Sequence, residues 1–307
     1  MSALMRQRGA VLIAAMLIVA LAATAASAML QRQDVSVRQL ETARDYEQAR
    51  WILKGGTQWA RAILAQDARS SAVDHGGELW ATGLPPTDIE EVRVSGEILD
   101  EQALFNLNNL VRDGKASERD IVTLKRLLQI LGIPVGFADA IADWLDADGE
   151  SRRPGGAEDP DYLALPAPYR AANQPLSELG ELGRVRGCDD ALLARLRQFA
   201  TVLPRPTPVN VNSAPPEVLA AVVEGLTVAE AAVLASGRAQ RPIRDLADFR
   251  ARLPRRELRV ADEDVSVQTQ FFSVRGRAIV GRADVRTHAL LQRDGARLPL
   301  IVWQRTP

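Results

Sequence analysis

The run Ala10–Leu30, AVLIAAMLIVALAATAASAML, decides the fold, and it begins directly after the basic segment Arg6-Gln7-Arg8-Gly9. As an α-helix, these 21 uncharged residues measure about 30 Å, the thickness of the hydrocarbon core of a bilayer. The next stretch, to about Gln66, contains no proline and repeats apolar side chains at helical spacing. The sequence therefore predicts a transmembrane helix over 10–30 that continues as one long helix, with Gly55-Gly56 as the place where it can bend or break.

Three interpretations fit this N-terminal run. It can be a plain membrane anchor, or a secretory signal peptide cut after Ala26-Ser27-Ala28. It can also be a prepilin-type helix, with a short basic leader that ends at Gly9 and a mature protein that starts at Ala10. Continuation of the helical pattern past Leu30 favours a retained helix, but the residues of this run alone leave the leader, the signal peptide and the plain anchor all open.

Composition limits the chemistry of the remaining chain. The net charge of 307 residues is only −1, so no overall positive field attracts nucleic acid. Cys188 is the only cysteine, so no intramolecular disulfide can form. The only histidines, His75 and His288, have no nucleophile at a recognisable spacing, so the sequence does not predict an enzyme.

Predicted strands lie on both sides of a long helical middle. They alternate apolar and polar residues, and they cover 89–100, 265–280, 283–293 and 297–305. Asp294-Gly295 between the last two is a hairpin signal. An antiparallel sheet interrupted by a helical insertion explains this order, because the first strand must find partners among the last three.

The helical middle is predicted to repeat itself. Its halves begin with Phe105-Asn106-Leu107-Asn108 and Val209-Asn210-Val211-Asn212, and each continues with two helices joined by a turn that contains glycine. Asn212-Ser213 is predicted to cap the first helix of the second half. Such units resemble helix-hairpin-helix motifs, whose turns bind DNA phosphates. The turns here contain no basic residue, which favours a packing module over a DNA-binding site.

An acidic loop, 143–161, reads DWLDADGESRRPGGAEDPD. Carboxylates at alternate positions around Gly149 can point at one centre, as in the first part of a calcium-binding loop, although the spacing is not that of an EF-hand. Gly155-Gly156 would let the chain fold back to add two more carboxylates. The alternative is a solvated acidic loop. The predicted calcium ligands are Asp143, Asp146, Asp148, Glu150, Glu158 and Asp159.

Taken together, these segments resemble the K-type minor pseudopilins of bacterial type II secretion systems (general secretion pathway protein K). The resemblance covers nearly the whole chain. It rests on the basic leader, the closing strands and three motifs: Asp143-Trp144-Leu145-Asp146-Ala147-Asp148, Gly156-Ala157-Glu158-Asp159-Pro160-Asp161-Tyr162 and Asn210-Val211-Asn212-Ser213-Ala214.

The resemblance implies an α+β fold, with a pilin-like long N-terminal helix, an antiparallel sheet and a large all-helical insertion domain. The expected divisions are a prepilin leader at 1–9, a transmembrane helix at 10–30, pilin-like segments at 31–102 and 257–307, and the insertion at 103–256. It also implies structural Ca²⁺ in the acidic loop.

The resemblance further implies how the protein is processed and where it works. Prepilin peptidase would cut after Gly9, and Ala10 would then be methylated. The protein would be anchored in the inner membrane by a single span, with its C-terminal region in the periplasm. It would stand at the pseudopilus tip with the I and J minor pseudopilins, followed by the H type, and would help to start assembly. The alternative function is a membrane-anchored DNA-binding protein that uses the two hairpin units.

Overall fold

The computed structural model describes residues 2–306, with side chains for residues 12–33 and 35–306. Its helices are α1 Ser2–Ser70, α2 Glu118–Ile130, α3 Phe137–Leu145, α4 Asp159–Leu163, α5 Asp190–Leu196, α6 Pro216–Val222, α7 Val228–Gln240 and α8 Leu246–Arg252. Its strands are β1 Leu84–Ile89, β2 Val92–Asp100, β3 Phe105–Asn106, β4 Val111–Arg112, β5 Lys115–Ala116, β6 Ala200–Thr201, β7 Val209–Asn210, β8 Val265–Ser266, β9 Phe271–Val280, β10 Ala283–Gln292 and β11 Leu300–Arg305.

The predicted long helix is a single element, α1, and Gly55-Gly56 do not interrupt it. The predicted break at this pair was wrong, because helical backbone geometry is open to glycine even though glycine lowers helix propensity. Among the residues searched, Leu12–Ser70 is long and apolar enough to cross a membrane by length and composition. The predicted processing residues Gly9 and Ala10 lie on α1, and their side chains are outside the described ones.

Five strands form one antiparallel sheet in the order β1-β2-β9-β10-β11, as the alternating segments predicted. The predicted strand 89–100 is in fact the end of β1 and all of β2, with a turn at Glu90, whose φ is 55°. Pro85 and Pro86 lie in β1, which is an edge strand and therefore tolerates missing N–H donors. Val265–Ser266 does not join this sheet, because β8 pairs with β7 instead.

The membrane-distal half of α1 packs on β9 and β10. Small residues allow a close approach: a Cβ added to Gly276 of β9 would lie 3.0 Å from Cδ2 of Leu53. The buried residues of this interface are Ala49, Leu53, Ala60, Leu64, Phe272, Val274, Ala278, Val280 and Val285. One helix on one sheet face makes the pilin-like half of the molecule.

The insertion runs from the end of β2 to the start of β9 and has its own hydrophobic core. It is mainly helical, but the expectation of an all-helical domain was wrong. Strands β3 and β6 pair in parallel, as do β7 and β8, and β4 pairs with β5. These short pairings satisfy backbone groups that are buried where the segments cross.

The two Asn-x-Asn segments form matching hydrogen bonds. Asn108 donates to the carbonyl of Leu176 at 3.0 Å and accepts from its N–H at 2.9 Å. Asn212 does the same with Ile243, at 2.9 and 2.8 Å. The predicted cap at Asn212 was therefore wrong. Its side chain joins two segments, and α6 instead follows Pro215 at its N-terminus.

Candidate metal centre

The acidic loop connects the end of α3 to the start of α4. Asp146 directly follows α3, and Glu158 directly precedes α4. The loop folds back through Gly155-Gly156, as predicted. A Cβ on Gly155 would lie 2.5 Å from Cα of Gly136, so the backbones touch at the start of α3. This close approach brings the two ends of the loop together.

Three predicted ligands meet at this point. Carboxylate oxygens of Asp146, Asp148 and Glu158 all lie within 4.8 Å of one another. Asp146 is 2% exposed and Glu158 is 3% exposed, whereas Asp148 is at the surface. Oδ1 of Asp146 and Oε1 of Glu158 are buried without a hydrogen-bond partner among the described residues. Buried polar atoms are normally paired, so these oxygens point to a missing partner.

Asp143 lies one helical turn before Asp146 and supports the loop. Its side chain is fully buried. Its Oδ2 accepts the backbone N–H of Arg152 at 3.0 Å, which fixes the fold-back, and its Oδ1 has no partner among the described residues. It stands close enough to Glu158 and Asp146 to be repelled by both.

The carboxyl groups are hard to ionise without a cation. Burial raises the pKa of Asp146 to about 7, and repulsion from Asp148 and Asp143 adds to it. Burial also raises the pKa of Glu158 to about 7, with further repulsion from its acidic neighbours, and raises that of Asp143 to about 6. Burial and mutual repulsion thus outweigh the opposing effect of Arg152 on the pKa of Asp146 and Asp143.

The two arginines of the loop do not fill the cluster. The Arg152 guanidinium contacts Glu118, and its Nε lies 3.9 Å from Oδ1 of Asp139. Asp139 is a buried carboxylate that sequence reasoning missed, although it precedes Asp143 by one helical turn. Its Oδ1 lies 2.7 Å from Nζ of Lys125, and its Oδ2 is unpartnered among the described residues.

Two predicted ligands lie elsewhere. Glu150 is exposed at the surface. Asp159 accepts the N–H of Ala171 at 3.0 Å and lies 3.6 Å from the Arg170 guanidinium. The geometry therefore selects Asp146, Asp148 and Glu158 from the predicted six, with Asp143 directly behind them. An irregular all-oxygen set of this kind suits Ca²⁺ better than Mg²⁺.

A second carboxylate cluster, which the sequence did not reveal, combines Asp67, Asp74 and Glu78. Here Arg293 occupies the centre. Its Nη2 donates to Oδ1 of Asp74 at 2.6 Å, and its Nη1 donates to Oδ2 of Asp67 at 3.0 Å. Oε2 of Glu78 accepts the indole N–H of Trp80 at 2.9 Å. This cluster is an ion-pair network with its own cation.

Arginines reach both hairpin turns from other segments. Arg195 donates to the carbonyl of Leu131 at 3.0 Å, and Arg255 donates to that of Gly225 at 2.6 Å. The turns do contain the left-handed glycines typical of such loops, since φ is 64° at Gly132 and 81° at Gly225. These arginines donate hydrogen bonds to carbonyls of the turns, so part of their hydrogen-bonding capacity is used inside the insertion.

Comparison with known proteins identifies the family. Two models described as type II secretion system (T2SS), protein K, match residues 103–205 and 209–269. The chain is 33% identical to the type II secretion system protein K of Pseudomonas aeruginosa over 288 residues, which is 90% of this chain and 85% of the relative. The chain belongs to the type II secretion system protein K family. The Pectobacterium carotovorum protein K is 30% identical over 97% of this chain and 96% of its own length.

The fold agrees with a solved protein K structure. A chain in the crystal structure of the GspK-GspI-GspJ complex from enterotoxigenic Escherichia coli matches with a TM-score of 0.73 and 24% identity, over 88% of this chain and 99% of that chain. The predicted resemblance to K-type minor pseudopilins and the predicted α+β class are thus confirmed. The boundary between the two family models falls between the halves that begin at Phe105 and Val209.

Proposed function

We propose that this protein is a minor pseudopilin that stands at the tip of the type II secretion pseudopilus and helps to start its assembly. One observation carries the proposal: the bulky insertion leaves the sheet domain beside Phe272, at the level of Leu64 on α1. That level is about 50 Å along the helix from Leu30, the end of the apolar run. A subunit widened at its membrane-distal end fits poorly inside a filament and well at its end.

The apolar run supports the same position. In most pilins a glutamate at the fifth mature position, matching Ala14 here, is thought to neutralise the N-terminal amine of a neighbouring subunit. A buried carboxylate without that partner is costly in a membrane. A subunit with nothing above it has no amine to neutralise, so alanine suits the tip.

Processing and topology follow from this role. Prepilin peptidase cuts after Gly9, Ala10 becomes the methylated N-terminus, and α1 stays anchored in the inner membrane with the remaining chain in the periplasm. Mass spectrometry of the protein purified from its native membrane tests this step. A mature N-terminus at Met29 would instead identify a signal peptide.

The I and J minor pseudopilins are the proposed direct partners, followed by the H type, because the matched protein K structure is a complex with GspI and GspJ. Co-purification of the full-length chain with its I and J subunits, and gold labelling of assembled pseudopilus, test the role. Label at one end only is the expected result. Label along the filament would contradict the tip position, and failure to co-purify would contradict the partnership.

Calcium is the proposed structural cofactor. Asp146, Asp148 and Glu158 would hold it, and its charge would convert their mutual repulsion into attraction between the ends of α3 and α4. The role is structural, and we propose neither an enzymatic activity nor a DNA-binding function for the hairpins. Binding of DNA that weakens steeply with added salt would contradict the last point.

A further inference from the structure

The insertion and the sheet share only a small apolar contact. Among the described side chains, the buried apolar residues form four clusters, and a single one joins the two parts: Leu203 of the insertion packs on Phe271 and Leu290 of the sheet. Two chain segments connect the parts, one after the end of β2 and one before the start of β9. A small interface of this kind leaves rotation of one part against the other possible. The relative direction of the two parts therefore depends on polar contacts at the connections.

One buried carboxylate, that of Asp100, lies at the first connection. Asp100 is the last residue of β2 and is 9% exposed. Its Oδ1 accepts the backbone N–H of Gln102 at 2.8 Å. Its Oδ2 accepts from Nδ2 of Asn210 at 2.9 Å and from the hydroxyl of Ser213. The carboxylate thus joins the end of a sheet strand to a segment of the insertion that lies 110 residues later in the chain.

Asn210 ties the second connection to the same point. Its side chain is fully buried, and its Oδ1 accepts the N–H of Asn212 at 3.0 Å, which fixes the orientation of the amide. Its Nδ2 also lies 3.0 Å from Oγ1 of Thr269, just before β9, and 3.0 Å from the carbonyl oxygen of Asp74, in the loop after α1. Asp100 and Asn210 together therefore hold both connections against one point of the insertion.

The carboxylate of Asp100 is bound without an ion pair. Its hydrogen-bond donors among the described residues are uncharged, and the guanidinium of Arg238 is bound instead to two backbone carbonyls of the insertion. Burial raises the pKa of Asp100 to about 6 despite these hydrogen bonds. A buried charge of this kind costs free energy. Because hydrogen bonds are directional, it also fixes one arrangement, whereas an apolar contact would let the two parts slide.

We infer that the insertion is a hinged domain and that the Asp100–Asn210 pair sets its direction relative to the sheet. The two connections are the hinge. Asp100 is a positioning residue, since it acts through the amide of Asn210. Without the pair, the small apolar contact and exposed ion pairs such as Arg305 with Glu178 would remain, and exposed ion pairs contribute little. The inference does not depend on where the protein stands in the secretion system.

Two spin labels on the full-length chain in lipid nanodiscs measure the direction of the insertion. Cys188→Ser removes the only native cysteine. Trp51→Cys on α1 and Val233→Cys on α7 then provide label sites, at positions where the native side chains are 64% and 71% exposed. Pulsed electron spin resonance gives the distribution of distances between the labels. With the Asp100–Asn210 pair intact, the distribution should be single and narrow.

Asp100→Asn should widen this distribution about twofold, because in either orientation the new amide N–H₂ faces a donor, either the N–H of Gln102 or the amide of Asn210. The matched control is Glu97→Gln, the same chemical change at an exposed carboxylate of the same strand. It should leave the distribution unchanged. A distribution as narrow for Asp100→Asn as for the control would overturn the inference.

Exchanging the two groups separates positioning from general damage to the fold. Asn210→Asp alone places two carboxylates together and should also widen the distribution. In the double variant Asp100→Asn with Asn210→Asp, the acid and the amide change places, so a donor again faces an acceptor. The double variant should therefore be narrower than either single variant. A double variant at least as wide as both single variants would overturn the inference.

A milder variant covers the case in which Asp100→Asn does not fold. Ser213→Ala keeps the acid and removes one of its donors. It should widen the distribution less than Asp100→Asn, while the melting temperature shows that the protein is folded. A distribution unchanged by Ser213→Ala, when Asp100→Asn does not fold, would overturn the inference.

Discussion

Two carboxylate clusters each contain two aspartates and one glutamate: the first is Asp67, Asp74 and Glu78, and the second is Asp146, Asp148 and Glu158. They differ in whether a side chain of the protein neutralises them. In the first, Asp74 and Asp67 are bound by the guanidinium of Arg293, and the N–H of Thr269 donates to Asp74 at 2.7 Å. In the second, buried oxygens of Asp146 and Glu158 have no partner among the described residues. Among the described residues, the chain supplies a cation to the first cluster and none to the second.

The difference lies in what the chain brings to each site. The first cluster joins the end of α1 to the end of β10, so its cation comes from 219 residues away. The second lies within one loop, whose only bases are Arg152 and Arg153, and Arg152 turns towards Glu118. This difference supports the proposed calcium site at the second cluster, whereas the first cluster, with its internal guanidinium, is part of the fold.

Removing the guanidinium of Arg293 from the first cluster should have the largest effect on stability. Arg293→Met leaves Asp74 buried and charged, which costs about 3–5 kcal/mol for a broken buried pair. The melting temperature of the full-length protein should fall by about 10 °C. Arg297→Met, at an exposed arginine in the following loop, should change it little. A loss below about 1 kcal/mol for Arg293→Met would show that the first cluster does not need its guanidinium.

Calcium at the proposed site in the second cluster should have the next largest effect on stability. An ion present at a hundredfold excess over its dissociation constant stabilises the folded state by about 2.7 kcal/mol. Calcium should therefore raise the melting temperature relative to EGTA. Asp146→Asn and Glu158→Gln should each remove most of that rise, whereas Glu150→Gln and Arg152→Ala should retain it. Equal melting temperatures in millimolar calcium and in EGTA would mean that the loop is only an acidic turn.

The pH should change how strongly calcium stabilises the protein through the second cluster. In EGTA, the pKa values of Asp146 and Glu158 are about 7 in the folded protein against about 4 when unfolded. The folded state therefore binds more protons between about pH 4 and 7, and its stability falls as pH rises through that window. Calcium binds the ionised groups, so the calcium-minus-EGTA difference in melting temperature should be largest near pH 8 and less than half as large near pH 5. A difference independent of pH would exclude these carboxylates as ligands.

The smallest effect should come from Asp67→Asn. Burial, together with repulsion from Glu78 and Asp74, raises the pKa of Asp67 to about 6 despite Arg293. The ionised group is therefore slightly unfavourable at neutral pH, and an amide oxygen still accepts from Arg293. Stability should rise by less than about 1 kcal/mol, and the calcium response should not change. A loss larger than this would mean that Arg293 requires both charges.

Parts of the candidate site were predictable because they depend on local spacing. Asp146 and Asp148 are two residues apart, and Gly155-Gly156 signals the fold-back that returns Glu158. Asp159 and Glu150 were included for the same local reason, but spacing does not report which way a side chain turns. Asp159 turns to Ala171 and Arg170, which the insertion places beside it.

The sequence by itself determined the long helix, the antiparallel strands, the two Asn-x-Asn halves and the acidic loop, because each follows from periodicity or composition over a short window. Only the tertiary structure decided that Asp146, Asp148 and Glu158 lie together, and that Arg293 fills the first cluster. The first of these features depends on the direction in which each side chain of the loop turns, and the second on a contact between residues 219 positions apart. A pattern of neighbouring residues in the sequence predicts neither of them.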